Sequence, residues 1–180
     1  MNKVSGLQSD FHYFLNEEGS TRYVLGYGLK QIEGSELYEW YEVYLPKKQT
    51  NMLSFQIVKD AILADINART DEKILSGFVW ENINVWLSAE NQRNFSEAQR
   101  MANALPDILP LTFKLGENEN EEPVYHTFET AEELNGFYVS AFAFINQCLN
   151  EGWQEKDSID WTPYEEFFPE PSDKPIEEET

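Results

Sequence analysis

The sequence predicts an α+β protein: an N-terminal antiparallel β-meander, then a module of pattern α–ββ–α–ββ–α, then an extended acidic C-terminal tail. Three observations carry this. Aromatic-rich runs separated by turn clusters fill residues 11–45, the pattern of successive short strands. From Ser54 the apolar spacing changes to that of a helix. Residues 134–149 then carry the most regular apolar stripe in the chain.

Each element follows from local chemistry. Phe11 to Leu15 is a strand candidate ending at the turn cluster Asn16 to Ser20. Arg22 to Ile32 is the second strand, loosened by Gly26 and Gly28, and Glu36 to Leu45 the third, stopped by Pro46. In that third strand Leu37, Tyr41, Val43 and Leu45 share one face, and Tyr38, Trp40, Glu42 and Tyr44 the other. Both faces are apolar enough to be covered. Ile57, Val58, Ala61, Ile62 and Ile66 make a helical stripe, with a short further turn capped at Thr70 and stopped by Gly77.

Phe78 to Leu87 reads as a hairpin about Glu81-Asn82, pairing Phe78 with Val85 and Trp80 with Ile83. Ser88 is the N-cap of a helix over Ala89 to Ala104, with Phe95, Met101 and Leu105 as anchors. Leu109 to Leu115 and Pro123 to Phe128 form a second hairpin with an acidic tip. Thr130 with Glu133 makes a capping box for the last helix. Its stripe is Leu134, Phe137, Tyr138, Ala141, Ile145, Cys148 and Leu149, and Gly152 is its expected end. From Trp161 prolines alternate with acids, as in an extended tail. The division expected is 1–50, a β-rich module; 51–160, the α+β module; and 161–180, the tail.

Charge narrows the function. The formal net charge is −20, which opposes binding to nucleic-acid backbone and to anionic membranes. It is uneven. Residues 1–115 hold 15 acids and 11 bases, whereas residues 116–180 hold 18 acids and 2 bases. The body is near neutral and the acidity is C-terminal. With one cysteine, Cys148, no intrachain disulfide forms. Neither a secretory leader nor a membrane-length apolar run is visible, so a soluble protein made in a reducing cytoplasm is expected.

A search for chemistry ends without a catalytic set. His12 and His126 lie among aromatics, without a nucleophile elbow or Cys–His signature. Cys148 sits on an apolar stripe with no basic neighbour in sequence, so it reads as a buried small hydrophobe. Asp65, Asn67 and Asp71 resemble a calcium loop, but Arg69 and Ser76 stand where ligands belong. The acids of residues 117–122 read as a solvated hairpin tip. No metal and no cofactor is expected, nor an enzyme. The aromatics Tyr38, Trp40, Tyr44, Trp86, Trp161, Tyr164, Phe167 and Phe168 are instead candidate partner anchors, for protein or sugar.

One stretch has a wider likeness. Residues 62–80, containing Thr70-Asp71, Ile74 and Gly77-Phe78, are followed by Val85-Trp86-Leu87 and by Ser88, Glu90, Gln92 and Asn94. This pattern, with Leu109 to Lys114 and the helix from Thr130 to Glu151, resembles a small domain of unknown function. That domain recurs in bacteriophage and prophage tail and tail-fibre proteins. The likeness covers roughly residues 55–152. The hairpin departs from it, with Glu81-Asn82 in place of Asp-Gly or Asn-Gly.

The resemblance implies a non-enzymatic structural component of a virus tail, oligomeric with other tail or virion proteins. It would be fibre-proximal, a baseplate part or a connector, and no catalytic residues carry over. Its location would be the virion, after synthesis in the bacterial cytoplasm. Docking would use strand or extended-segment addition plus aromatic anchors. The alternatives are a tail-fibre assembly chaperone and an acidic DNA mimic that blocks a host DNA-binding protein.

Overall fold

The computed structural model describes residues 3–47 and 53–168. The chain groups into two compact units. Unit 1 combines the N-terminal residues up to Ile66 with those from Glu155 onward, and unit 2 is Asn67 to Gln154. These limits differ from the divisions expected at residues 50 and 160. Two long helices, α1 (Phe55–Ser76) and α3 (Ala131–Asp157), each contribute residues to both units. The architecture is α+β, as the periodicities predict.

In unit 1 three antiparallel strands stand in the order β1-β3-β2: β1 Lys3–Gly6, β2 Arg22–Gln31 and β3 Tyr38–Pro46. The strand expected at Phe11 to Leu15 is not one of them. Leu15 makes an isolated bridge to Val24, and the Gly26 N–H donates to the His12 carbonyl at 3.0 Å. This segment therefore covers the outer edge of β2 instead of joining the sheet. The third strand is β1, at the opposite edge beside β3, where Val4 pairs with Trp40. Sequence pattern missed β1 because four residues with one glycine carry little periodicity.

The unit 1 core is built from distant parts of the chain. Leu25 and Tyr27 of β2 pack with Val58, Ile62 and Ile66 of α1 and with Tyr164 and Phe168. The last two overturn the expected extended tail. Thr162–Phe167 is a helix, α4, with Pro163 in its first turn, where the missing N–H costs nothing. Helical spacing puts Tyr164 and Phe168 on one side, so both enter the core. The buried Tyr164 hydroxyl donates to the Gly26 carbonyl at 2.6 Å. Burial pushes this hydroxyl far above its ordinary pKa, so it remains a donor. The rest of the expected tail, 169–180, lies outside the described residues.

Unit 2 follows the sequence reading closely. Strands β4 (Phe78–Trp80) and β5 (Ile83–Val85) pair Phe78 with Val85 and Trp80 with Ile83. Glu81 and Asn82 have φ of 49° and 65°, the two left-handed positions of a type I′ turn made without glycine. Ser88 caps α2 (Ala89–Ala104), its Oγ accepting the Asn91 N–H at 3.2 Å. Of the anchors expected there, Phe95 is buried and Leu105 is exposed. The second hairpin is β6 (Leu111–Glu117) with β7 (Pro123–Phe128).

The α3 stripe buries Leu134, Phe137, Ala141 and Cys148 against both hairpins and α2. Phe137 is the hub. Its ring centroid lies 4.9 Å from Phe95, 5.1 Å from Phe128 and 5.2 Å from Trp80, separations that favour edge-on aromatic attraction.

Gly152 was expected to end α3, yet the helix runs on to Asp157. The glycine serves helix crossing instead: a Cβ there would lie 2.5 Å from the Thr70 hydroxyl oxygen. Glycine at a tight crossing and glycine at a helix end look alike in sequence.

Candidate functional site

The eight predicted anchors do not form one surface. Trp40, Tyr164 and Phe168 are buried within unit 1, and Tyr38, Tyr44 and Trp161 are half-buried there. Arg22 lies 3.8 Å over the Tyr44 ring, a contact that occupies the face a partner would use. The Tyr44 hydroxyl donates to Glu42 at 2.7 Å. Phe167 is 55% exposed beside Phe14. Trp86, in unit 2, is 39% exposed. For Trp40 the sequence leaves core and contact surface equally open, and it is core, as are Tyr164 and Phe168; aromatic enrichment marks a core and an interface alike.

Unit 1 has a cleft of about 550 Å³. Its aromatic lining includes Phe11, Tyr13, Trp40, Tyr41 and Tyr164. Tyr13 meets Phe11 and Tyr164 edge-on at 4.8 and 5.3 Å, and Tyr41 stacks on Tyr27 at 5.6 Å. The register of β2 slips between Tyr27 and Lys30, and such a bulge re-aims neighbouring side chains at the cleft rim. Lys3, Lys30, Glu39, Glu155 and Asp160 supply its polar lining, with Lys3 and Glu39 paired at 2.7 Å.

Unit 2 presents a different surface. The Trp86 N–H donates to the Leu115 carbonyl at 2.8 Å, bringing the two hairpins side by side. Gly116 permits this approach: a Cβ there would lie 2.2 Å from the Asn84 carbonyl oxygen. Because strand side chains alternate, the inward positions hold Phe78, Val85, Leu115 and Phe128, and the outward ones Val79, Trp86, Lys114 and Tyr125. Tyr125 is 63% and Val79 56% exposed. Lys114 lies opposite Tyr125 and 5.3 Å from the Trp86 ring, and its ammonium donates to Glu117 at 2.9 Å. Alternation along β7 is the sequence signal that sets Tyr125 on the face opposite buried Phe128.

Other singled-out residues have structural work. The thiol of buried Cys148 is pushed up by desolvation, which disfavours the reactive thiolate. His126 lies 2.8 Å from Glu133 and edge-on to Trp80 at 4.8 Å, while His12 is exposed. Desolvation opposes ionisation of Glu133, but hydrogen bonds from the Glu129 N–H and from His126 outweigh it and hold the carboxyl below its usual range. At the acidic hairpin tip, Asn118 accepts the N–H groups of Asn120 and Glu122 at 2.9 and 3.0 Å. Among the described residues no group of three or more His, Cys, Asp or Glu is arranged to hold a metal ion. No described helix is long and apolar enough to cross a membrane.

The residues behind the family likeness have physical roles too. Thr70 seats Gly152, Ile74 and Phe78 enter the core, and the Gly77 N–H closes α1 on the Lys73 carbonyl at 2.9 Å. Ser88 caps α2, while the Gln92 amide donates to the Leu87 carbonyl at 2.6 Å. These positions build the scaffold behind the hairpins.

Residues 57–173 match the model of a family described as a domain of unknown function, DUF4376. No curated protein and no solved structure gives a match. The matched span is more than half of the chain, and the chain belongs to this family. The likeness to a domain of unknown function thus holds, and it extends past residue 152 to include α4.

Proposed function

With membership of this family as the premise, we propose that the chain is a non-enzymatic docking component of a bacteriophage or prophage tail. The observation that supports this most is the outward face of unit 2. Trp86 and Tyr125 present large rings to solvent around Lys114, on two hairpins fixed from behind by the Phe137 cluster. Rigid aromatic anchors, Trp and Tyr above all, are what protein interfaces are built around. Tail assembly as the setting comes from the family likeness of residues 55–152.

The grip expected from strand addition is revised. In unit 1 the β2 edge is already covered by residues 12–15, and β1 is four residues long, so the sheet offers little edge to a partner. Aromatic docking through unit 2 takes its place in the proposal.

Sedimentation of a lysate producing the whole virus tests this. The chain is expected to travel with assembled particles and to resist a salt wash. Recovery entirely in the slow-sedimenting soluble fraction, both early and late in assembly, would contradict a resident tail component. Recovery with tail-fibre chains early and its absence from finished particles would instead identify an assembly chaperone.

A further inference from the structure

We propose that the unit 1 cleft is a binding site for a neutral, polyhydroxylated ring ligand, a pyranoside of one or two sugars. The site is separate from the outward face of unit 2 and does not depend on the docking role proposed for it. Its volume of about 550 Å³ lies in the range of small-molecule sites. Its lining is aromatic, with Phe11 and Tyr41 half-buried and Tyr13, 36% exposed, offering a ring to solvent. A sugar ring presents an apolar C–H face to such a wall and hydroxyls at its edge.

The charges select the ligand class. Two ammonium groups, Lys3 and Lys30, and three carboxylates, Glu39, Glu155 and Asp160, line the same cleft, with Lys3 and Glu39 paired to each other. Beyond that pair an anion would face Glu155 and Asp160, and a cation Lys30. A neutral hydroxylated ring meets neither penalty. Each of its hydroxyls can donate to a carboxylate and accept from an ammonium or from the Ser158 hydroxyl, which also lines the cleft. The lining comes from Lys3 of β1, from Phe11 and Tyr13, from β2 and β3, and from residues between Glu155 and Tyr164, so both ends of the chain must be folded to complete the site.

Saturation-transfer NMR on the full chain tests this with maltose, cellobiose and chitobiose as probes and N-acetylarginine amide as the cationic rival. Transfer to ring protons of at least one disaccharide is expected. Tyr13→Ala should weaken it about tenfold, the effect of one lost ring contact, with the circular dichroism spectrum unchanged. Lys30→Ala, at an exposed position, should weaken the same signal and provides a second variant if Tyr13→Ala unfolds. No transfer to any of the three sugars would overturn the proposal. So would stronger transfer to N-acetylarginine amide than to the sugars, or sugar transfer that both variants leave unchanged.

Discussion

The two units use their aromatic residues in different ways. In unit 1 Tyr164 of α4 and Phe168 just after it fill the core beside Leu25 and Tyr27, and Arg22 covers Tyr44, while Tyr13 and Phe167 remain at the surface. Unit 2 fills its core with phenylalanine and still leaves Trp86 and Tyr125 at the surface. The surface rings of unit 1 pack on neighbouring rings, Phe167 on Phe14 and Tyr13 on Phe11 and Tyr164, whereas Trp86 and Tyr125 flank an ammonium, Lys114. That contrast is the physical basis for assigning docking to unit 2.

The largest expected effect strikes the unit 2 core. Phe137→Ala removes the hub of the Phe78, Trp80, Phe95 and Phe128 cluster and should destabilise by about 3–5 kcal/mol. Urea unfolding followed by hydrogen exchange should place the loss in β4 to β7 and α3. A comparable loss of protection confined to β2 would break the distinction between the two cores.

A smaller effect should sharpen the comparison from the other side. Tyr164→Phe keeps the ring and removes the hydrogen bond to the buried Gly26 carbonyl, at a cost of about 1–3 kcal/mol. Hydrogen exchange should quicken in β2 and leave β6 and β7 unchanged. Unaltered exchange in β2 would show that α4 does not hold unit 1 closed.

The smallest effect belongs to the first hairpin. Glu81 and Asn82 sit at positive φ, where Asn-Gly is the preferred pair. The double substitution Glu81→Asn, Asn82→Gly should raise stability by about 0.5 kcal/mol, read as a shift in the urea midpoint without a change in slope. A loss of stability would show that the turn is not type I′.

How far the fold was legible in sequence follows the same division. Unit 2 is contiguous and its periods are strong, so the hairpin register at Phe78/Val85 and Trp80/Ile83, the Ser88 cap and the α3 stripe could all be read locally. Unit 1 is assembled from residues more than a hundred positions apart, as Gly26 and Tyr164 show. No local pattern reports such a pairing, and Pro163 with its acidic neighbours looked like the start of a tail. The anchors divided likewise. Trp86 is at the surface, but only tertiary context distinguishes it from Trp40, and Tyr125, outward by alternation along β7, joins it on one face only once β5 and β6 lie side by side.

The most direct measurement compares the wild-type chain with the double variant Trp86→Ala, Tyr125→Ala for retention on gradient-purified virus particles. Both positions are at the surface, so the variant should keep its fold and lose under about 1 kcal/mol of stability. The docking account predicts wild-type chain on the particles and the folded variant left in the soluble fraction. Equal retention of the two would contradict it.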